Sequence, residues 1–198
     1  MTAQRGDTFI HKGNSYIAAA MTDPTGFNPA DYGLIPKAVC TACWRGYWCD
    51  YEIRDNGLYL KNLYIHTQDD HYPDINGVSV AVRDIDPFNV SSEHFGHCKY
   101  EDVGLFIPYT GKIIAGAGFI DRYYRHMGFQ SPYAYRSLME FIFEDGVLKK
   151  AIDHSKRAEE IRKWIDASEP GEGRSMEDIA EYVRRSFSLD YKDKAWWL

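Results

Sequence analysis

The chain has 198 residues, enough to bury the core of one domain of ordinary size. Its 23 Lys and Arg residues against 29 Asp and Glu give a net charge of −6. That charge excludes general nucleic-acid binding, which needs a basic surface. Aromatic residues make up 15% of the chain, and because such side chains fit the half-buried faces of sheets, we expect a β-rich protein.

The compartment follows from two segments that the sequence lacks. The first sixteen residues, MTAQRGDTFIHKGNSY, contain no apolar stretch of the kind that a secretory signal needs. Elsewhere no apolar run approaches the roughly 18–20 residues of a membrane-spanning helix. We therefore expect a cytoplasmic protein without membrane contact, in which the thiols stay reduced.

The first half of the chain favours strands. One strand is expected at residues 14–21, followed by a loop rich in proline and glycine at residues 22–36. Residues 37–67 then predict a hairpin, because Asp55-Asn56-Gly57 separates two aromatic segments and Asn-Gly supplies the positive φ angles of a type I′ turn. A second Asn-Gly, at residues 76–77, precedes a further expected strand at residues 78–85.

Residues 103–153 continue this pattern. Two strands are expected around the turn at residues 108–111, then a helical turn at residues 121–128. Residues 135–153 predict a hairpin that turns at Glu144-Asp145-Gly146. In its first strand Leu138, Glu140 and Ile142 alternate with Met139, Phe141 and Phe143.

The C-terminal part favours helices. Ala158, Ile161 and Ile165 have helical spacing with Trp164 beside them, and Ser155 is the expected N-cap. A second helix is expected after residue 175, and its apolar stripe comprises Met176, Ile179, Ala180, Val183 and Phe187. The predicted fold class is α+β: mainly an antiparallel sheet built of hairpins, open or closed like a barrel, with a C-terminal helical pair. Residues 1–154 are the predicted β-rich domain, and residues 155–198 a helical segment packed on it.

Three of the four cysteines lie in the stretch CTACWRGYWC at residues 40–49. A structural zinc site could combine Cys40 and Cys43 with His97 and Cys98, since four such ligands complete a tetrahedron. The local sequence favours a strand instead, because Val39 and Thr41 are β-branched and no Gly or Pro lies between the two cysteines. On a strand these thiols would point to opposite faces and could not chelate one ion. We therefore expect buried thiols and no cofactor.

The segment IDRYYRHMGFQSPYAY is dense in groups that can carry chemistry. Asp121, Arg122, Tyr124 and His126 could form a pocket with a general base and an anion-binding arginine. The alternative is a connecting turn whose tyrosines pack under the sheet. The tail Trp196-Trp197-Leu198 poses a similar choice, because an exposed apolar end must either dock on the domain or meet a partner.

Three blocks of the chain, TACWRGYWCDYEI with LYLKNLYI, YTGKIIAGAGFI with YRHMGFQSPYAY, and FEDGVL, resemble an uncharacterised family of small bacterial cytosolic proteins. The resemblance covers residues 10–155 and implies no particular activity. In composition alone the chain is also similar to bacterial toxin-immunity proteins. We therefore expect a non-enzymatic protein-binding domain, with an immunity-type inhibitor of a toxin as the concrete form. The alternative is a small-ligand-binding protein or enzyme that uses the pocket at residues 121–126.

Overall fold

The computed structural model describes residues 2–23, 26–81, 98–167, 176–195 and 197–198, with the side chains of residues 176–179 left aside. These residues form nine strands: β1 Thr8–His11, β2 Asn14–Met21, β3 Tyr47–Arg54, β4 Gly57–Ile65, β5 Cys98–Tyr100, β6 Leu105–Phe106, β7 Gly111–Phe119, β8 Tyr135–Glu144 and β9 Val147–Asp153. They also form three α-helices: α1 Ser155–Ala167, α2 Met176–Phe187 and α3 Tyr191–Lys194. Short 3₁₀ turns lie at Pro29–Tyr32, Asp121–Tyr123 and Pro132–Ala134.

Three hairpins share one turn design, in which two residues both have positive φ. The turns are Lys12-Gly13 before β2, Asp55-Asn56 before β4 and Asp145-Gly146 before β9. Turns of this kind match the twist of the flanking strands. The predicted hairpins in residues 37–67 and 135–153 are therefore confirmed. Gly57 already begins β4, however, so the first of these turns uses Asp55-Asn56 in place of Asn-Gly.

The strands form one mixed sheet in the order β3-β1-β2-β7-β8-β9-β4-β5, with β6 also paired to β4. Among the strand pairs that the structure describes, β1–β3 is the parallel one, and the predicted, mostly antiparallel sheet is confirmed. β4 pairs with β3 along its length but meets β9 only at Gly57 and Val147. A contact of one residue pair does not confirm the barrel, which stays a prediction.

The core lies on both faces of the sheet, and β7 shows why. Ile113 and Ala115 point into the main cluster with Phe141 of β8, whereas Ile114 points to the opposite face. This alternation is the period of two expected of a strand, and an apolar sequence on both sides predicts coverage of both faces. On the second face, Ile114 packs beneath the C-terminal helices, where Ala158 of α1 is fully buried.

The predicted helical pair is confirmed, and α3 adds a third, shorter helix. Ser155 is wrong as the N-cap, because Ala158 N donates to His154 O and Ser155 already belongs to α1. The predicted apolar stripe of α2 does not match the observed burial throughout. Ala180, which belongs to the stripe, is exposed, whereas Ser186 near the end of α2 is buried. No helix in the described ranges is both long and apolar enough to cross a membrane.

Two other predictions fail locally. Residues 79–81 have no regular strand, and the rest of that predicted strand, with residues 82–97 as a whole, lies outside the described residues. The predicted helical turn at residues 121–128 is limited to the 3₁₀ turn Asp121–Tyr123, after which the chain is extended at Tyr124. The loop therefore turns toward the C-terminal helices, which positions the site described next.

Candidate functional site

The cysteine stretch forms two consecutive turns, so the predicted strand at residues 40–46 is wrong. Cys43 N donates to Cys40 O at 3.3 Å, and Gly46 N donates to Cys43 O at 3.1 Å. Gly46 has φ of 78°, and a Cβ there would lie 2.7 Å from the backbone of Lys37. The lack of Gly or Pro within Cys-x-x-Cys predicted an extended chain, but Gly46, three residues later, allows the turn.

This turn brings Cys40 and Cys43 close together but assembles no metal site among the described residues. The described residues contain no group of three or more His, Cys, Asp and Glu side chains that could hold a metal ion. Cys98 lies on β5 beside Ile65, and His97 lies outside the described residues, so the four-ligand zinc site stays a prediction. Burial raises the pKa of the Cys43 thiol to about 11, which keeps it protonated and unreactive at neutral pH.

A buried ion pair fixes the cysteine turn to the sheet. The Asp7 side chain is 2% exposed, pairs with the Arg45 guanidinium and accepts a hydrogen bond from Cys49 N at 2.7 Å. Arg45 also donates from Nε to Tyr47 O at 2.8 Å. The positive charge at this turn is therefore neutralised within the protein, and the pair has a structural role.

The four predicted pocket residues lie on the surface. Asp121, Arg122, Tyr124 and His126 are all exposed, and Arg122 forms an ion pair with Asp166 of α1. The rings of Tyr124 and His126 meet edge to face at 5.2 Å, so the structure brings these two together. None of the four lines the cleft described next, and a pocket built from them stays a prediction.

Arg125, which lies between the predicted residues, does line a cleft. This cleft, here called the Lys194 cleft, has a volume of about 210 Å³ and lies between the C-terminal helices and the loop before β8. Three cations line it, Arg125, Arg185 and Lys194, against the single carboxylate of Asp193. The sequence places these residues far apart, and the fold brings them together.

The loop holds Arg125 through its backbone and leaves most of the guanidinium to the cleft. Arg125 N donates to Gln130 Oε1, and Gln130 Nε2 donates back to Arg125 O, both at 2.9 Å. The guanidinium donates to the Tyr133 hydroxyl at 2.8 Å and lies 5.4 Å from the centroid of the Tyr182 ring. Its partners are thus a hydroxyl and aromatic rings, with no carboxylate in the described residues.

Lys194 is the most unusual group in the cleft. It is 6% exposed, and its Nζ lies 3.2 Å from Phe129 O and 3.4 Å from Ser186 O. Burial, together with the positive charge of Arg125, lowers the pKa of Lys194 to about 8. The neighbouring Asp193 carboxylate acts to raise the pKa of Lys194 but does not outweigh the other two causes. A buried lysine that forms no ion pair is costly, so it requires an explanation.

The one acid in the cleft is already engaged. Asp193 accepts two hydrogen bonds from Arg184, each at 3.1 Å, and its pKa is lowered chiefly by that guanidinium. On the cation side, Arg185 donates to Glu181 at 2.6 Å. The two remaining cations of the cleft therefore have no ion-pair partner among the described residues.

The loop carrying Arg125 is packed tightly on α2. Gly128 has φ of 66°, and a Cβ there would lie 2.0 Å from Ser186 O. Phe129 N donates to the same carbonyl at 2.8 Å. Only glycine allows this approach, so Gly128 sets the distance between the loop and the end of α2.

Buried Glu140 ties α3, which carries Lys194, to the sheet. Glu140 of β8 accepts from Tyr191 at 2.8 Å and contacts His154 Nε2 at 2.9 Å. Burial acts to raise the pKa of Glu140, but the hydrogen bonds from His154 and Tyr191 and the nearby Lys112 outweigh it and lower the pKa. The network positions the rim of the cleft.

A second concave surface adjoins the first. The Trp164 groove, as we call it, has a volume of about 490 Å³ and is lined by Arg157, Glu160, Ile161, Trp164, Trp197 and Leu198. Trp164 is 62% exposed, whereas Trp197 is 5% exposed and packs with the core beneath α1. Trp197 is therefore docked on the domain, while Trp196 lies outside the described residues.

Searches of protein-family models, curated proteins and solved structures each found no match to this chain. The likenesses noted in the sequence stay predictions. Sequence reasoning missed Arg125 as a cleft residue although it lies inside the segment that was singled out. Sequence reasoning also missed Lys194, because a lysine in the polar segment YKDK is usually exposed to solvent.

Proposed function

We propose that the chain is a non-enzymatic binding domain and that a protein partner contacts it at the Trp164 groove. The observation that carries the proposal is the 62% exposure of Trp164 beside the half-buried Ile161 and Leu198. Tryptophan is enriched at the energetic centres of protein interfaces, and exposed apolar surface of this kind marks interaction sites. Immunity-type inhibition of a bacterial toxin is the concrete form of this function.

The groove is preformed, which favours binding because little has to be ordered on association. Trp197 forms its buried wall, and Arg157 Nε donates to Trp197 O at 3.1 Å. The same arginine pairs with Glu160 at 3.1 Å, so the charges in the groove balance each other. An apolar side chain of the partner would therefore be the group that enters.

The net charge of −6 supports a basic partner. Opposite net charges raise the rate of encounter without needing specific ion pairs in the groove. We therefore propose a basic protein that presents an exposed aliphatic or aromatic side chain to Trp164.

The test is a photo-crosslinking amino acid placed at position 164 in the intact chain, in bacterial cells that produce it. The matched control places the same group at Phe106, an exposed aromatic residue on β6. We expect one product specific to position 164, and the purified partner should bind the Trp164→Ala variant at least about tenfold more weakly than the wild type.

The Phe106→Ala variant should bind that partner as the wild type does. For the immunity form, the partner produced alone should arrest growth, and the chain should relieve the arrest. Identical products from both positions, or wild-type affinity of the Trp164→Ala variant, would overturn the proposal.

A further inference from the structure

We infer that the Lys194 cleft binds a small oxyanion, a carboxylate or phosphate group, between Arg125 and Lys194. This inference goes beyond the proposed protein partner and stands without it. It rests on the hydrogen-bond donors, the charges and the size of the cleft.

Several N–H donors in the cleft have no acceptor among the described residues. A lysine ammonium has three N–H donors, and the two carbonyls of Phe129 and Ser186 account for two of them. Arg125 has five N–H donors, of which the side chain uses one on Tyr133. Ser131, which is 4% exposed, also lines the cleft. An oxyanion supplies the acceptors that these groups lack.

The charges of the cleft also favour an anion. Arg125 and Lys194 are close enough for the arginine to lower the pKa of the lysine. With a pKa of about 8, Lys194 is still mainly protonated at neutral pH, so both groups are cations there. Two cations in one partly buried cleft repel each other, and an anion between them would remove both the repulsion and the cost of burial.

The size and walls restrict the ligand. A volume of about 210 Å³ holds one carboxylate or phosphate group with a short carbon body. Ile161, Trp164 and Trp197 supply an apolar part of its lining. A small organic acid or phosphate monoester with an apolar body fits this combination better than a bare ion.

The experiment is calorimetry on the full chain at low ionic strength, with benzoate and phenyl phosphate as separate probes. Benzoate tests whether the cleft binds a carboxylate, and phenyl phosphate tests whether it binds a phosphate. We expect at least one probe to bind in a one-to-one ratio, with an affinity measurable at or below about 10 mM.

Two variants and a control make the result specific. Arg125→Gln and Lys194→Met should each weaken the bound probe at least about tenfold, because each removes one charge-assisted contact. Lys163→Gln removes a cation that is paired with Glu159 on the exposed face of α1, and it should leave the affinity unchanged. Thermal unfolding of each variant checks that it is folded.

Failure of both probes to bind the wild type would overturn the inference. An equal loss of affinity in the Lys163→Gln control would also overturn it, since the probes would then sense only net charge. Because no partner protein is present, neither outcome bears on the Trp164 groove.

Discussion

Two regions of the molecule each hold a cation that is partly or fully buried, and the two cations differ in their partners. At the cysteine turn, Arg45 pairs with Asp7, a carboxylate that is 2% exposed. In the Lys194 cleft, the lysine is 6% exposed and is bound by backbone carbonyls alone. The first cation is neutralised within the protein and the second is not.

This difference distinguishes structural from binding charges. Burying an ion costs several kcal/mol after relaxation, and a partner of opposite charge offsets that cost. Where folding supplies the partner, the pair holds the chain together. Where folding leaves the partner out, the cost is tolerated only if the group serves another purpose, such as binding an anion.

Breaking the structural pair should give the largest effect. Asp7→Asn keeps a side-chain oxygen for Cys49 N but leaves Arg45 without a counter-charge. We expect the free energy of unfolding to fall by about 3 kcal/mol, the low end for a broken buried pair because the Arg45 side chain is 29% exposed. Urea denaturation at pH 7 measures it. A loss below about 1 kcal/mol would show that the pair is not a structural element.

Removing the charge of Lys194, which forms no ion pair, should stabilise the protein. Lys194→Met keeps the length of the side chain and abolishes the buried charge. We expect the free energy of unfolding at pH 7 to rise by roughly 1–3 kcal/mol, the net of the charge removed and the bond lost at Phe129 O. A less stable variant would identify Lys194 as a structural residue.

The pH dependence of the same variant sharpens this prediction. Because the pKa of Lys194 is lowered to about 8, the unfolded chain binds the proton more tightly between pH 8 and the ordinary lysine value of 10.5. The wild type should therefore gain stability relative to Lys194→Met across this window. Below pH 8 the wild type carries the full cost of the buried charge. The difference in free energy of unfolding between the wild type and Lys194→Met should therefore be constant there.

Loosening the attachment of α3 should have a smaller effect. Tyr191→Phe removes the hydrogen bond to Glu140, and we expect a loss of about 1–2 kcal/mol at pH 7. The pKa of Glu140 is lowered, so its contribution is present above the ordinary glutamate value and is lost as pH falls through the folded value. The variant should begin to unfold in acid at a higher pH than the wild type, as followed by circular dichroism.

An exposed pair provides the smallest effect and the control for the first prediction. Glu144→Gln breaks the contact with Lys149 at 3.4 Å, where both side chains are about half exposed or more. We expect a change within about 0.5 kcal/mol, because water screens such pairs. A loss as large as that of Asp7→Asn would mean that burial does not distinguish the two pairs.

The sequence predicted most of the fold, because strands and hairpins depend on local patterns. The turn residues Glu144-Asp145-Gly146 and the alternation in the strand before them were sufficient to predict the hairpin of β8 and β9. The cysteine turn was mispredicted because its decisive residue, Gly46, lies outside the Cys-x-x-Cys motif.

The site was harder to predict, because it depends on contacts between distant segments. The sequence drew attention to residues 121–126, but which of them faces inward depends on Gly128 packing against Ser186. The burial of Lys194 depends on where α3 docks, and α3 is attached to Glu140 through Tyr191. A lysine in a polar segment carries no local signal of such burial.

The pKa of Lys194 is the measurement that tests the account most directly. It is obtained by following the Cε and Nζ resonances of this lysine by NMR in the full chain, with Lys194→Met to assign them. We predict a pKa of about 8, rising toward the ordinary lysine value when the anion binds. A pKa near 10.5 in the free protein, unchanged by benzoate or phenyl phosphate, would contradict the distinction drawn between Arg45 and Lys194.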